Sequence, residues 1–223
     1  MSTPDPVPNV VVYTAIFGSF PDRLFRPGYL GPDVAYVAFT DRDAGFVNGW
    51  RCCPPAFRLD DARRQARCHK ILSHKLFPGQ EYVLWVDGCL TPLGNPLELV
   101  REYLVPPLDL CVFEHCQRKC VYEEAEACVQ LRKDDPQLIA AQTERYRQAG
   151  YPAGNGLGET TAVLRRQTPA IRDFNRAWWA ELVYGSVRDQ LSFDFVCWRQ
   201  DLPYARFRGW RYNSPHFRWR AHR

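Results

Sequence analysis

The chain has 223 residues, 46% of them hydrophobic, and a formal net charge of +4 at pH 7. This length suits a single α/β domain, and no apolar run approaches the roughly 20 residues that a membrane-spanning helix needs. The first residues, Met1-Ser2-Thr3-Pro4, lack the basic flank and apolar stretch of a secretory signal, which favours a cytoplasmic protein.

Alternating strand and helix patterns run along most of the chain. Apolar, β-branched runs predict strands, which cover residues 10–17, 34–39, 82–86, 108–113 and 160–165. Helical spacing of apolar residues predicts helices, which cover residues 60–76, 97–103, 121–131, 136–149, 170–184 and 189–199. This alternation predicts a Rossmann-like α/β/α sandwich with a mostly parallel central sheet. We divide the chain into a flexible N-terminus (1–9), one domain (10–201) and a basic aromatic tail (202–223).

The most informative segment is Tyr82-Val83-Leu84-Trp85-Val86-Asp87-Gly88, an apolar strand pattern that ends in an aspartate and a glycine. The carboxyl ends of parallel strands line the crevice in which open α/β sheets bind ligands. Asp87 is therefore expected to hold a divalent cation that bridges phosphates, and Gly88 would permit a close approach. A strand-ending aspartate that caps the next turn also explains this pattern.

Two other predicted strands end in polar residues at the same edge. They end at Tyr13-Thr14-Ala15 and Phe39-Thr40-Asp41, and the sequence has no glycine-rich phosphate-binding motif. A nucleotide base would lie against the first of these strand ends, and Asp41 would accept a base N–H. A basic helix would contact the diphosphate through its cationic side chains, which are Arg63, Arg64, Arg67 and Lys70.

The nine cysteines favour reduced thiols, because their number is odd and no signal peptide is evident. His115, Cys116, Cys120 and Cys128 have a spacing that could hold zinc. The paired C-x-x-C arrangement of structural zinc sites is missing, so buried thiols are the preferred interpretation.

The tail is basic and aromatic. No Asp or Glu follows Leu202, and the arginines there alternate with Trp210, Tyr212, Phe217 and Trp219. Arginine suits bidentate contacts with phosphate or carboxylate. A solvated tail or a nucleic-acid-binding arm would also explain the charge, but the aromatic residues favour packing against the domain.

Seven motifs stand in the order of a glycosyltransferase-like family long catalogued as a domain of unknown function. They are Tyr13-Thr14-Ala15-Ile16-Phe17-Gly18, Phe39-Thr40-Asp41, Lys70-x-x-x-His74, Leu84-Trp85-Val86-Asp87-Gly88, Glu114-His115, Cys120-x-Tyr122-Glu123-Glu124-Ala125 and Ser186-x-Arg188-Asp189-Gln190-Leu191-Ser192-Phe193. The chain resembles this family over about residues 10–198; the family includes plant Golgi proteins of pectin and mucilage synthesis and bacterial proteins. The resemblance implies a GT-A-type fold, with a nucleotide-sugar half (about 10–105) and an acceptor half (about 106–201).

The resemblance also implies a metal site. Asp87 matches the first carboxylate of the short acidic motif that binds Mn²⁺ or Mg²⁺ in GT-A enzymes, but Cys89 replaces the second acid. His216 or His222 of the tail would complete the site, although for either one alone a plain surface histidine is the preferred interpretation.

Further site residues follow from the same resemblance. Arg188-Asp189-Gln190 resembles the Asp-Gln step that holds the donor sugar and the acceptor, and Asp189 would orient hydroxyls or stabilise positive charge. Helix capping is the alternative role for Asp189. Glu159 and His115 would contact the acceptor, and His115 could instead contact the leaving phosphate.

The predicted function is metal-assisted sugar transfer from a nucleoside diphosphate sugar, preferably a UDP-sugar, to a hydroxyl of a small metabolite or a glycan. The alternative is a non-catalytic nucleotide-sugar or glycan reader, which Cys89 supports. Nucleic-acid binding is disfavoured because the basic stretch is short.

The Asp-Gln step favours a retaining course; an inverting enzyme would need a base such as Glu159 or Asp189. The arginine-rich chain suggests a bacterial enzyme. Its basic tail is expected to become ordered over the diphosphate when nucleotide and metal bind.

Overall fold

A computed structural model describes residues 9–18, 24–41 and 45–221. The strands are β1 Val10–Ile16, β2 Val34–Thr40, β3 Phe46–Val47, β4 Trp50–Cys53, β5 Tyr82–Val86, β6 Leu90–Pro92, β7 Leu110–Glu114, β8 Gly158–Arg166, β9 Ala205–Arg206 and β10 Phe217–Trp219. The helices are α1 Ala62–Ile71, α2 Ser73–Leu76, α3 Pro96–Tyr103, α4 Val121–Gln130, α5 Pro136–Gln148, α6 Pro169–Tyr184 and α7 Gln190–Arg199.

One eight-stranded sheet, in the order β3-β4-β2-β1-β5-β8-β7-β9, forms the centre of the domain. β1 pairs in parallel with β2 and β5, β2 with β4, and β7 with β9. β8 runs antiparallel to both β5 and β7, so these two strands share a direction. The predicted α/β fold with a mostly parallel sheet is confirmed, and the carboxyl ends of β1, β5 and β7 meet the start of β8 at one edge.

The core lies on both faces of this sheet because its central strands are buried on both sides. In β1, Val11 and Tyr13 face the layer of α1, α6 and α7, whereas Val10 and Val12 face the layer of α3 and the chain after β9. The run of seven buried residues in β1 therefore reflects two cores rather than one.

Helix starts follow local sequence signals. Asp61, Asn95, Asp135 and Thr168 each accept a backbone N–H from the first turn of α1, α3, α5 and α6. Such caps satisfy donors that have no partner within the helix. Proline follows the cap in α3, α5 and α6, where its missing N–H costs nothing.

Residues 202–221, here called the C-terminal segment, are part of the domain. β9 adds to β7, and β10 pairs with β6. Phe207 and Phe217 are buried and pack on Phe113. Strand pairing and burial thus hold this segment against the domain, and its ordering over a diphosphate on nucleotide binding stays a prediction. Within the described ranges, no helix is long and apolar enough to cross a membrane.

Candidate active site

Two adjoining clefts open at the sheet edge where β1 and β5 end and β8 begins. The larger cleft, about 490 Å³, is bordered by the start of α7, by α4 and by the C-terminal segment. The smaller cleft, about 290 Å³, lies between α1 and the end of β1, where Ala15, Ile16 and Phe17 line it. Arg67 and Asp87 line both, so a ligand that occupies both clefts must pass these two side chains.

Asp87 directly follows β5, as predicted. Its backbone N–H donates to the Thr161 carbonyl at 2.8 Å, and its Oδ1 accepts the Trp85 indole N–H at 2.7 Å. Lys70 Nζ lies 3.6 Å from the same oxygen. These contacts fix the carboxylate, while 23% of the side chain stays exposed to a ligand at the junction of the clefts.

Asp189 is the anion of a buried charge cluster beside Asp87. Its carboxylate lies 2.5 Å from Lys70 Nζ and 2.9 Å from Arg67 Nε, and it accepts the Thr160 hydroxyl at 2.8 Å. Burial alone would raise the pKa of Asp189, but Arg67 and Lys70 outweigh burial and hold this pKa well below its usual range. The Asp189 side chain makes no capping bond to α7. Asp189 is therefore an ionised acceptor at neutral pH, and its side chain does not cap the helix.

The basic side chains of α1 make two kinds of contact. Arg67 and Lys70 reach the larger cleft, whereas the Arg64 guanidinium donates to the carbonyls of Leu182 and Gly185. Arg64 and Arg67 are three positions apart on one helix face, so the partner groups at the end of α6, and not helix periodicity, separate them. The end of α6 leaves carbonyls that attract a cation. The structure thus places Arg64 away from the clefts and gives it a structural role.

The wall opposite Asp87 carries His115, at the end of β7. His115 Nδ1 accepts the backbone N–H groups of Gln117 and Arg118, and Arg118 Nη2 lies 3.3 Å from Nε2 of the same ring. Arg118 Nε in turn lies 2.5 Å from the buried Glu124 carboxylate. Burial lowers the pKa of His115, although Glu124 opposes that shift, and the ring is neutral at neutral pH. His115 lines the larger cleft as a neutral imidazole.

Arg188 and Gln190 line the larger cleft at the start of α7, on either side of Asp189. The guanidinium of Arg188 interacts with the Asp189 carboxylate and with the Cys128 thiol, and its buried Nε has no hydrogen-bond partner among the described residues. Arg188 therefore places a positive charge at the larger cleft, and its contact with a substrate stays a prediction.

Glu159 lies beneath the C-terminal segment and does not line either cleft. Its Oε1 accepts Thr161 Oγ1 at 2.9 Å and Arg211 Nη1 at 3.1 Å. Burial raises the pKa of Glu159, and Arg211 opposes that rise. The predicted direct contact with an acceptor is thus not made, because Arg211 lines the cleft in its place.

Some side chains near the carboxyl end of β1 lie in the core, and others line the smaller cleft. The Tyr13 hydroxyl is buried, donating to the Lys70 carbonyl at 2.8 Å, and Thr14 is also buried. Ala15 lines the smaller cleft together with Gly88. Asp41 lies in a separate depression lined by Pro54 and Arg58, among others, and its Oδ2 accepts the Gly18 N–H at 2.8 Å. The structure does not bring Asp41 to the smaller cleft.

The predicted metal ligands are also separated. His216 Nε2 is 2.8 Å from the Tyr103 hydroxyl, and residue 216 lies outside β10 at the end distant from Asp87. His222 lies outside the described residues. Burial raises the pKa of Cys89 to about 12, so it is a protonated thiol rather than an anionic ligand. In the described parts of the chain, no three His, Cys, Asp or Glu side chains converge on a metal-sized space.

A single carboxylate nevertheless fits a hard divalent cation. Mg²⁺ and Mn²⁺ are commonly held by one or two carboxylates together with substrate phosphates and water. Asp87 is exposed at the junction of the clefts, where a diphosphate could supply the remaining oxygens. Zinc at His115, Cys116, Cys120 and Cys128 lacks such support: the His115 ring is engaged by backbone donors, and all nine cysteines are free thiols.

Comparison with known proteins identifies the family. A model of the TOD1/MUCI70 glycosyltransferase-like domain matches residues 37–208. The chain belongs to the TOD1/MUCI70 glycosyltransferase-like family. It is 30% identical over 214 residues to the probable hexosyltransferase MUCI70 of Arabidopsis thaliana, covering 84% of this chain and 37% of that protein. It is 31% identical over 137 residues to the alkaline ceramidase TOD1 of Arabidopsis thaliana, covering 57% of this chain and 30% of that protein.

The chain thus spans about a third of the length of these TOD1/MUCI70 relatives. Both are plant proteins, and the expectation of a bacterial source stays a prediction. Among solved structures, mouse xyloside xylosyltransferase 1 matches with a TM-score of 0.49 at 10% identity, covering 89% of this chain and 84% of that one. The galactosyltransferase LgtC, solved with donor and acceptor sugar analogues, matches with a TM-score of 0.43 at 13% identity, covering 83% and 70%. These scores are too low to transfer the role of any residue.

Sequence reasoning missed several residues of the site. Arg211, Tyr212 and Trp219 line the larger cleft although they follow Asp87 by more than a hundred positions. Thr160, which binds both Lys70 and Asp189, was also missed. The interleaved aromatic residues of the tail were the available signal, but that pattern does not indicate which surface the tail covers.

Proposed function

We propose that this domain transfers a sugar from a nucleoside diphosphate sugar, preferably a UDP-sugar, to an acceptor hydroxyl with the help of Mn²⁺ or Mg²⁺. Membership of the glycosyltransferase-like family supports the class of reaction. The observation that carries the proposal is the position of Asp87, at the junction of a smaller cleft and a larger polar cleft. The nucleoside would occupy the smaller cleft, the diphosphate would lie at Asp87, and the sugar would enter the larger cleft.

Each charged group then has a role. Asp87 would hold the divalent cation, which when bound would neutralise negative charge on the departing diphosphate. Lys70 and Arg67 keep Asp189 ionised and fixed. Asp189 accepts hydrogen bonds from sugar hydroxyls, or stabilises positive charge that develops at the anomeric carbon. Arg188 donates to oxygens of the substrates, and the neutral His115 ring contacts them from the wall of the cleft.

The depressed pKa of Asp189 bears on the stereochemical course. A general base works best when its pKa is close to the working pH, and Asp189 is far below that range. Glu159, the other candidate base, is bound to Arg211 outside the cleft. With neither carboxylate suited to remove the acceptor proton, we propose a retaining course in which a donor phosphate oxygen receives that proton. Analysis of the product anomer by NMR tests this course.

The test of the reaction is release of UDP from a panel of UDP-hexoses, UDP-pentoses and UDP-uronic acids, with and without Mn²⁺. We expect Mn²⁺ to stimulate release and Asp87→Asn to lower it roughly 100-fold or more, as loss of several kcal/mol of charge stabilisation implies. Asp173→Asn is the matched control, because Asp173 is an exposed carboxylate that pairs with Arg176 on α6. Near-normal turnover and donor affinity in Asp87→Asn would contradict the role of Asp87.

The same preparation distinguishes the other possible functions. If the protein binds UDP but releases no UDP from any UDP-sugar, it would be a non-catalytic nucleotide-sugar-binding protein. One relative is named an alkaline ceramidase, so fatty-acid release from ceramide is measured in parallel. Ceramide hydrolysis without consumption of any nucleotide sugar would refute glycosyl transfer.

A further inference from the structure

Two aromatic side chains of the C-terminal segment line the larger cleft. Tyr212 is 51% exposed and Trp219 is 37% exposed. Their rings contact each other edge to face, with centroids 5.0 Å apart and planes at 74°. Large aromatic rings are usually buried, so an exposed pair inside a cleft suggests a surface that a ligand covers.

Both rings are held in place by the surrounding structure. Trp219 pairs with Leu90 in the β10–β6 ladder, which continues as the Arg220 N–H donates to the Cys89 carbonyl at 2.8 Å. The Tyr212 hydroxyl binds Arg211, whose other Nη is anchored to the buried Glu159. The pair is therefore preorganised, and a ligand would not have to order it.

The position of the pair separates it from the nucleoside. Tyr212 and Trp219 line the larger cleft and are not among the residues of the smaller one. Hydrogen-bonding side chains share the larger cleft with them, including Arg118, Arg188 and Gln190. An aromatic surface that shares a cleft with polar groups matches a pyranose, which has an apolar C–H face and a rim of hydroxyls. The C–H groups face the negative π-surface of the ring, and the hydroxyls bond to the polar wall.

We propose that Tyr212 and Trp219 form the stacking surface for a saccharide acceptor. The inference rests on the proposed function and extends it, because it restricts the acceptor to a glycan and excludes metabolites without a sugar ring. The C-terminal segment thereby supplies acceptor binding rather than a closing lid over the donor diphosphate.

The test measures binding by calorimetry with four probes: cellotetraose, a galactose tetrasaccharide, a uronic acid tetrasaccharide and UDP. We expect at least one tetrasaccharide to bind, and Trp219→Ala and Tyr212→Ala each to weaken it about tenfold, the upper range for one aromatic contact. UDP affinity should change less than twofold. Trp219→Phe, which keeps a ring, should retain most of the affinity and shows whether β10 tolerates substitution. Trp210→Ala is the control, because Trp210 is 50% exposed on the same segment and does not line the cleft.

Three results would overturn the proposal. They are no binding of any tetrasaccharide to the unaltered chain, equal binding by the alanine variants, or a loss of UDP affinity in Trp219→Ala with saccharide binding unchanged. The last result would mean that the ring contacts the nucleotide. Failure of the proposed function gives a different pattern: saccharide binding that depends on Trp219, but no release of UDP from any donor.

Discussion

Asp189→Asn tests whether the buried charge cluster holds the site together. The carboxylate is 3% exposed and lies within 2.9 Å of both Lys70 Nζ and Arg67 Nε. Asparagine keeps an acceptor oxygen but removes the anion that the two cations share. Removing one partner of a buried ion pair costs about 3–5 kcal/mol. Because Asp87 remains 3.6 Å from Lys70, we expect the lower end, about 3 kcal/mol.

Urea denaturation followed by tryptophan fluorescence at pH 7 measures this free energy of unfolding. For a chain of this size, about 3 kcal/mol corresponds to a fall in Tm of roughly 6–12 °C. Lys70→Met in the same background provides a double-mutant cycle. The double variant should be more stable than the sum of the single losses predicts, because it leaves fewer unpaired buried charges.

The pH dependence gives a second measure of the same cluster. The pKa of Asp189 is depressed in the folded state, so its stabilising contribution is present above the unfolded value of about 3.9 and is lost as the pH falls below it. The difference between the unaltered chain and Asp189→Asn should therefore shrink below about pH 4. A loss under about 1 kcal/mol at pH 7, or strict additivity in the cycle, would refute the reasoning.

Two further predictions concern groups outside the cluster. Burial lowers the pKa of His74 to about 4, so the folded state disfavours the imidazolium; the free energy of unfolding should fall by about 2–3 kcal/mol as the pH drops from about 6.5 to 4. In urea titrations, His74→Gln should reduce the dependence of the free energy of unfolding on pH. An unchanged pH dependence would contradict the role of His74. Asp41→Ala removes the carboxylate that accepts the Gly18 N–H at the end of β1. Gly18 directly follows Phe17, which lines the smaller cleft, so we expect weaker UDP binding by calorimetry with little change in stability. Equal UDP affinity would mean that this contact does not help to position the nucleotide.

Features encoded in contiguous residues could be predicted from the sequence. The apolar run before Asp87 predicts a buried strand, and its Asp-Gly ending predicts a side chain at the sheet edge, as observed. The paired positions Arg67 and Lys70 lie three apart, so they share a helix face and reach the same cleft. Local periodicity was sufficient for both conclusions.

Features that depend on distant partners could not be predicted. Arg64 binds the Leu182 carbonyl across 118 positions, and nothing near Arg64 distinguishes it from Arg67. The direction of β8 is set by its neighbours β5 and β7 rather than by its own residues. β3 and β9 have two residues each, too few to show a period of two. His216 illustrates the same limit, because its partner Tyr103 is 113 positions away.

The pairing of β10 with β6 has a consequence for folding during synthesis. Every residue that lines the smaller cleft precedes position 89, whereas Tyr212 and Trp219 emerge from the ribosome much later. Synthesis proceeds at about 5–20 residues per second, so the more than one hundred intervening residues delay the emergence of Tyr212 and Trp219 by roughly 6–25 seconds. All residues of the smaller cleft are thus synthesised well before β6 receives its partner strand. During that interval the edge of β6 is open, and it is the point at which a chaperone, or a second nascent chain, would find unpaired backbone.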